Sequence, residues 1–135
     1  MLKVRIITRT DVVFEGEAVS VSLPGKKGAM EILDMHIPII TVLTTGIICL
    51  KLPDGQQLFS ISKGIASLTG GELTILSDAT EAASKISLER AQKAKKRALE
   101  RLQKFNSGTY EHRRASYSLK RAENRIKLVE KITTR

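Results

Sequence analysis

The change that decides the fold lies within residues 62–105, which read SKGIASLTGGELTILSDATEAASKISLERAQKAKKRALERLQKF. Up to residue 77, short apolar runs alternate with polar residues and are separated by glycines. From Ser84 onward, the apolar residues recur every three or four positions instead. A period of two is typical of a strand with one buried face, and a spacing of three to four is typical of an amphipathic helix. The sequence therefore predicts a β module followed by a helical module.

The residues before this stretch show the same strand pattern. Val4 and Ile6 alternate with polar neighbours, and Val19, Val21 and Leu23 alternate with small residues further along. Four more runs lie at 47–52, 58–62, 65–69 and 73–77, and turn residues lie at Pro24-Gly25, Pro53-Asp54-Gly55, Gly64 and Gly70-Gly71. The last of these pairs suits a two-residue hairpin because both glycines accept positive φ. Many short strands without intervening helices predict a β-sandwich or barrel.

The second half predicts two amphipathic helices joined by a turn. Residues 84–135 contain one glycine and no proline. The apolar stripes are Ala91, Ala94, Ala98, Leu102 and Phe105 in the first helix and Ala115, Leu119, Ala122, Ile126 and Val129 in the second. Ser87 is the expected N-cap of the first helix, and Gly108 suits a left-handed helix stop. The result is an antiparallel hairpin whose alanine-rich seam buries little area, so we expect it to open easily.

The two modules also differ in charge. Residues 1–84 contain seven Lys or Arg and nine Asp or Glu, a net charge of −2. Residues 85–135 contain sixteen and five, a net charge of +11, and together they give the +9 of the whole chain. A strongly basic helical module favours an acidic surface, which is nucleic acid, anionic lipid or an acidic protein face.

The single cysteine and the N-terminus indicate the compartment. Cys49 lies in an apolar run and is expected to be a small buried residue, not half of an internal disulfide. The chain begins with strand-like alternation and not with a basic-then-apolar leader. No apolar stretch approaches the roughly 20 residues that span a bilayer. We therefore expect a protein that is soluble or held at a membrane by a partner.

No arrangement of residues points to catalysis. His36 and His112 have no Cys, Asp or Glu at metal-ligand spacing, so we expect neither a metal site nor a catalytic residue. The run LPGKKGA at 23–29 lacks the spacing of a phosphate-binding loop. The basic segment has the charge to follow the phosphates of RNA, but its three aromatics form no visible stacking platform. A stand-alone RNA- or ribosome-binding protein therefore stays as the alternative to a protein partner.

A set of short motifs in collinear order resembles the epsilon subunit of F-type ATP synthases. In the first half they are FEGEA at 14–18, VSLPG at 21–25, GAMEIL at 28–33, HIPIIT at 36–41 with Leu43 and Gly46, SKGIA at 62–66 and LTIL at 73–76. The helical half adds Arg90-Ala91 and LKRAENRI at 119–126. Each motif is short, but together they cover essentially the whole chain in the order of the family.

The resemblance implies a ten-stranded β-sandwich over residues 1–84 and an antiparallel two-helix hairpin over residues 85–135. It implies a non-catalytic rotor subunit of the central stalk that couples proton translocation to ATP synthesis. The sandwich would dock on the gamma subunit and the c-ring, and the basic helices would reach the alpha and beta subunits and suppress ATP hydrolysis. No nucleic acid is expected as a partner. The chain would be a peripheral membrane protein at the cytoplasmic side of the bacterial inner membrane, or at the stromal thylakoid face.

Positions that match the family give the candidate partner contacts. These residues are Glu31, His36, Arg113, Arg114, Lys120, Arg121 and Arg125. The loop EILDMH at 31–36 lacks the Pro-Gly turn of the family and gains a charge, so we expect an altered contact with gamma or the c-ring. His36 has two interpretations, a half-buried side chain bonded to the backbone or a direct contact with gamma.

Some members of the family bind ATP as a regulatory ligand in the folded hairpin. Their Ile/Leu-Asp-x-x-Arg-Ala motif corresponds to ISLERA at 86–91, where Ser87 replaces the aspartate. The candidate ATP contacts are Glu81, Arg90, Arg121 and Arg125. Ser87 retains the N-cap role but removes a carboxylate, so ATP binding and its absence both stay open. No cofactor is expected to be required.

Overall fold

A computed structural model describes residues 1–133 and shows ten strands followed by two long helices. The strands are β1 (Leu2–Ile7), β2 (Val12–Ala18), β3 (Ser20–Gly25), β4 (Gly28–Leu33), β5 (Ile39–Leu43), β6 (Gly46–Leu52), β7 (Gly55–Ile61), β8 (Gly64–Thr69), β9 (Glu72–Ser77) and β10 (Thr80–Ala82). A 3₁₀ turn over Ala83–Lys85 precedes α1 (Leu88–Lys104) and α2 (Tyr110–Thr133). The chain forms two compact units, Met1–Ala83 and a second that begins at Ser84.

The ten strands belong to one sheet that folds into the predicted sandwich. Its order is β10-β7-β6-β3-β5-β8-β9-β1-β2, and β4 pairs with β3 outside this path. Strands β1 and β9 run parallel, and the other pairs are antiparallel. Contacts of β2 with β6 and β10 bring the two ends of the sheet together. The predicted fold class, a ten-stranded β-sandwich followed by a two-helix hairpin, is confirmed.

The core of the sandwich follows from the period of two. In β1, Leu2, Val4 and Ile6 are buried and the residues between them are exposed. Aliphatic side chains from the other strands complete the same cluster, and Phe14 meets Phe59 edge to face with ring centroids 6.0 Å apart. The predicted hairpin turn is present at Gly70 and Gly71, which have φ of 58° and 79° and join β8 to β9.

Three details of the sandwich differ from the prediction. Val19 is exposed because the chain bends there between β2 and β3, so it leaves the alternation that buries Val21. Cys49 is half-buried on the outward side of β6, where its thiol donates to the Gln56 side-chain oxygen at 3.2 Å, so its expected burial is wrong. Strand β7 begins at Gly55, three residues earlier than expected, because Pro53-Asp54 forms a tight turn after Leu52.

The hairpin helices begin and end at identifiable caps. Ser87 has extended backbone and its hydroxyl accepts a hydrogen bond from the Arg90 amide at 3.3 Å, so the predicted N-cap is confirmed. Helix α1 ends at Lys104, and extended backbone at Phe105 follows it. Gly108 has the expected positive φ, 87°, but it lies in the connecting turn beyond the helix end. Thr109 then caps α2, because its hydroxyl accepts from the His112 amide at 3.2 Å.

The seam of the hairpin is the predicted alanine seam. The fully buried residues of the stripe are all alanines: Ala91, Ala98, Ala115 and Ala122. The larger stripe residues, such as Leu119 and Ile126, are half-buried. Leu128, which was not predicted as a seam residue, is fully buried, whereas its neighbour Val129 is half-buried. Alanine contributes little apolar area per residue, so the packing within the hairpin is close but weak.

Candidate functional site

The turn between β4 and β5 holds the first candidate contacts. Glu31 is exposed on β4, opposite Ser22 of β3. Asp34 follows the end of β4, and its carboxylate accepts from the Met1 amine at 2.9 Å and from the Met35 amide at 3.0 Å. The hydrogen bond and charge of Met1 lower the pKa of Asp34, and those of Asp34 raise the pKa of the Met1 amine. Asp34 thus anchors the β4–β5 turn, where the chain has Asp34-Met35 in place of the Pro-Gly pair of the family pattern given in the sequence analysis.

Met35 has the positive φ, 70°, that this turn requires. A left-handed backbone is uncommon for a residue with a side chain, and glycine adopts it without steric cost. The Met35 side chain is 92 % exposed, and its neighbours Leu33 and Ile37 are exposed as well. The β4–β5 turn therefore presents an apolar tip formed by Leu33, Met35 and Ile37. The sequence predicted only an altered contact at this turn.

His36 is half-buried beside this tip and bonded to the local backbone. Its Nδ1 lies 2.7 Å from the Ile37 carbonyl oxygen, and its amide donates to the Leu33 carbonyl at 3.2 Å. A carbonyl oxygen only accepts, so Nδ1 carries the proton in this contact. This geometry agrees with the backbone-bonded interpretation, and a contact of His36 with gamma stays a prediction.

A cleft of about 170 Å³ lies between α1 and α2. Its lining consists of Ala94, Arg97, Ala98, Arg101, Ser118, Arg121, Ala122 and Arg125. Small seam residues leave the space, and four arginines, spaced four residues apart on each helix, are among the residues that line it. Guanidinium groups bind phosphate and carboxylate oxygens in a bidentate manner, so the cleft is suited to a polyanionic ligand.

The cleft contains some of the candidate ATP contacts and not others. Arg121 and Arg125 line it, and Arg97 and Arg101 are lining residues that the sequence analysis did not single out. Their i, i+4 spacing next to the alanine stripe was the signal that could have found them. Arg90 lies in the first turn of α1 and outside this lining. Glu81 lies half-buried on β10, in the sandwich unit.

The hairpin has two further side-chain contacts, a cation–π contact within α2 and an ion pair between α1 and α2. The Arg121 guanidinium lies 5.8 Å from the centre of the Tyr117 ring, a cation–π distance. Lys95 of α1 meets Glu123 of α2 at 4.0 Å across the helix pair. The other candidate partner contacts on α2, Arg113, Arg114 and Lys120, are all exposed. An electropositive surface is thus open to solvent along α2.

Residues 1–133 contain no cluster of potential metal ligands and no helix suited to span a membrane. No three His, Cys, Asp or Glu side chains of this range come together in a way that would hold a metal ion. Neither α1 nor α2, as far as the structure describes them, combines the length and apolar character that a bilayer crossing requires.

Both units match known protein families. Residues 1–83 match the beta-sandwich domain of the ATP synthase Delta/Epsilon chain, and residues 84–130 match the long alpha-helix domain of the same chain. The chain is 38% identical over 125 residues to the ATP synthase epsilon chain of Halalkalibacterium halodurans, which covers 93% of this chain and 94% of that one. It is 37% identical over 127 residues to the epsilon chain of Desulforamulus reducens, with 93% and 94% covered.

Solved structures show the same fold at lower identity. A chain in the structure of the Euglena gracilis mitochondrial ATP synthase OSCP/F1/c-ring gives a TM-score of 0.80 at 17% identity, over 99% of this chain and 81% of that one. A chain in the central stalk and c-ring of the Tetrahymena thermophila mitochondrial ATP synthase gives 0.58 at 14% identity, over 98% and 96%. The comparisons lend the RNA-binding alternative no support. On the two family matches and the identity to its relatives, this chain belongs to the ATP synthase epsilon chain family, a family of non-catalytic subunits.

Proposed function

We propose that this chain is a rotor subunit of the ATP synthase central stalk, with a coupling sandwich and a regulatory hairpin. The observation that carries the proposal is the match of both units, in order, to the two domains of the ATP synthase Delta/Epsilon chain. The structural relatives come from central-stalk and c-ring assemblies, which supports the same position in the complex. The partners are the gamma subunit and the c-ring for the sandwich, and the alpha and beta subunits for the hairpin.

The hairpin supplies the regulation in this proposal. Its net charge of +11 over residues 85–135 attracts it to an acidic surface of the catalytic subunits. Separation of α1 from α2 requires little free energy, because each buried alanine of the seam contributes little apolar area. A helix pair that opens easily and carries this charge is suited to extend toward the catalytic subunits and suppress ATP hydrolysis.

The location follows from the partners. The chain is held at the membrane through the c-ring and gamma, on the cytoplasmic side of a bacterial inner membrane or the stromal side of a thylakoid. Membrane association is therefore peripheral and indirect.

ATPase assays of the reconstituted catalytic complex test both roles. The full chain should bind gamma and inhibit hydrolysis, and a chain shortened after Ser84 should bind without inhibiting. Arg113→Glu with Arg114→Glu should relieve inhibition in the full chain. The matched control is Lys26→Glu with Lys27→Glu, which makes the same change of charge at exposed positions of the sandwich. Equal loss of inhibition in both double variants would mean that net charge alone, and not the hairpin surface, is responsible.

We also propose that the arginine cleft binds ATP as a regulatory ligand. Four arginines line the cleft of about 170 Å³ between the helices, and a triphosphate carries the negative charge that this lining lacks. A ligand that contacts α1 and α2 together would hold the hairpin closed, because it gains its contacts in the closed state alone. In this arrangement Ser87 acts as a helix cap, and the phosphates are held by Arg97, Arg101, Arg121 and Arg125.

Calorimetric titration of the isolated chain with ATP tests the cleft. Arg97→Ala and Arg121→Ala should each weaken binding by at least about tenfold, because a hydrogen bond to a charged group contributes roughly 1.5–3 kcal/mol. Arg114→Ala is the control, since it removes the same charge from an exposed position outside the cleft. No heat at millimolar ATP would refute ATP binding by the cleft.

A further inference from the structure

The arginine cleft of the hairpin offers its ligand hydrogen-bond donors almost exclusively. Its lining combines four arginines with three alanines, and Ser118 is the remaining lining residue. A guanidinium group presents a planar fork of N–H donors and no acceptor, and an alanine side chain presents neither. Among the described residues that line the cleft, none is acidic and none is aromatic. The Ser118 hydroxyl is therefore the one side-chain acceptor that this described lining provides.

Selection of adenine requires groups that differ from this lining. Adenine carries an exocyclic amino group that donates, where guanine carries an oxygen that accepts, so a site that selects adenine needs an acceptor there. The lining residues lie inside α1 and α2, where backbone carbonyls already accept hydrogen bonds within the helix. Arginine, in contrast, is the side chain that pairs with the acceptor edge of guanine. The lining thus gives adenine no advantage over another base.

Groups that could recognise a base lie outside the lining. Glu81 lies on β10 in the sandwich unit, and the Ser87 hydroxyl caps α1 by accepting from the Arg90 amide. Proteins commonly stack a base on an aromatic ring, and the Tyr117 ring lies 5.8 Å from the Arg121 guanidinium without being a lining residue. Tyr117 is therefore the aromatic side chain to test for a contact with the base.

The volume of the cleft limits which part of a nucleotide it can enclose. Cavities that enclose a drug-sized ligand measure roughly 300–1,000 Å³. The arginine cleft measures about 170 Å³, with Arg121 and Arg125 half-buried and Arg97 and Arg101 exposed to solvent. Guanidinium groups match phosphate oxygens in geometry and charge. The phosphate chain is thus the part that the cleft encloses, and the nucleoside extends into solvent.

We propose that the cleft recognises a linear chain of phosphates and does not select the base. Its ligand class is a nucleoside triphosphate of any base or inorganic tripolyphosphate, since both present the same phosphate oxygens to the arginines. The inference rests on the proposed binding of ATP and specifies which part of the ligand is recognised. Every such ligand gains its contacts in the closed hairpin, so the closed state responds to polyphosphates in general and not to ATP alone.

Calorimetric titrations of the full chain with ATP, GTP and inorganic tripolyphosphate, at equal salt and without divalent cations, test the inference. The affinity for GTP should lie within about fivefold of that for ATP, the factor that one neutral hydrogen bond from Ser118 can supply. Tripolyphosphate should bind at least as tightly as ATP, because it has the whole phosphate chain and a second terminal phosphate group. Binding of ATP more than about tenfold tighter than that of either GTP or tripolyphosphate would overturn the inference.

Substitutions locate the bound phosphates. Arg121→Ala should weaken ATP and tripolyphosphate alike, by about tenfold or more, because each loses a hydrogen bond between charged groups. Lys127→Ala is the matched control, since it removes the same charge from an exposed position of α2 outside the lining, and both affinities should stay unchanged. Equal losses in the two variants would mean diffuse attraction to the net charge and would overturn the site. If Arg121→Ala lowers the helix content in circular dichroism, Arg125→Ala takes its place.

Tyr117→Leu separates recognition of the base from recognition of the phosphates. The ratio of the ATP and tripolyphosphate affinities should not change, because Tyr117 lies outside the lining. A loss confined to ATP would mean that the base stacks on this ring and would overturn the inference.

The outcomes also separate this inference from the proposal on which it rests. If ATP binds and tripolyphosphate does not, regulation by ATP stands and recognition of the phosphate chain is refuted. If neither ligand binds, both the proposed ATP binding and this inference fail.

Discussion

Enlarging one seam alanine should open the hairpin by an amount that packing predicts. Ala115 is 2% exposed in α2 and lies outside the lining of the arginine cleft, so the three extra carbons of Ala115→Leu have no space to enter. Overpacking of this kind costs about 1–3 kcal/mol. If the whole cost falls on the closed state, the open-to-closed ratio rises by about 5- to 150-fold. Gln92→Leu is the control, because it adds leucine at an exposed position of α1.

Spin labels on the two helices measure this opening directly. Lys96→Cys and Glu123→Cys, in a Cys49→Ser background, place labels on the turns that the Lys95–Glu123 contact brings together. The Ala115→Leu chain should show a larger fraction of long label separations and stronger inhibition of ATP hydrolysis at equal concentration. Unchanged separations would refute the close packing of the seam. Longer separations without stronger inhibition would refute the link between hairpin opening and regulation.

Three further outcomes follow from local geometry. Gly64→Ala should destabilise the sandwich by about 3 kcal/mol or more in urea denaturation, because a Cβ there would lie 2.3 Å from the Leu76 carbonyl oxygen. Gly70→Ala has open space around the new Cβ but a φ of 58°, so it should cost roughly 1–2 kcal/mol. A larger loss of stability for Gly70→Ala than for Gly64→Ala would contradict the contact argument. Ser87→Ala should destabilise the hairpin by about 1 kcal/mol in thermal melts followed at 222 nm, and Ser87→Asp should not. The Met1–Asp34 ion pair should order the β4–β5 turn at intermediate pH. Its contribution to stability is lost as pH falls through the lowered pKa of Asp34, and also as pH rises through the raised pKa of the Met1 amine. In NMR titrations, Asp34→Asn should return the pKa of the Met1 amine toward its usual value, and an unchanged pKa would exclude the pair in solution.

Local signals in the sequence anticipated local structure well. Gly70-Gly71 predicted a tight hairpin because glycine adopts positive φ without steric cost. Ser87 predicted a helix start because its hydroxyl reaches an amide three residues away. Val19 and Cys49 were assigned wrongly by continuing a pattern. A single bend at Val19 reverses which side chains face inward, and outward placement of Cys49 depends on how β6 lies against its neighbours.

Part of the candidate site was also predicted from the sequence. Arg121 and Arg125 came from resemblance to a family motif, and the structure places them in the cleft. Arg97 and Arg101 were missed, because several basic residues follow the same helical spacing in α1 and the sequence alone does not show which of them turn toward α2. The apolar tip was missed for a similar reason, since exposure of Met35 depends on the turn geometry.

By itself, the sequence determined the two modules, their opposite charges, the alanine seam and the family. These properties depend on residue type and on spacing along the chain, so they can be inferred without knowledge of the strand order. The tertiary structure alone decided which exposed aliphatic side chains lie next to one another on the sandwich, because strands far apart in sequence pair there, as at Ile7 with Leu76 and Val42 with Ile65. It also decided the arginine cleft, which needs two helices side by side. Surfaces of this kind arise from register and crossover, and these are set by non-local hydrogen bonding and burial, which spacing along the chain does not encode.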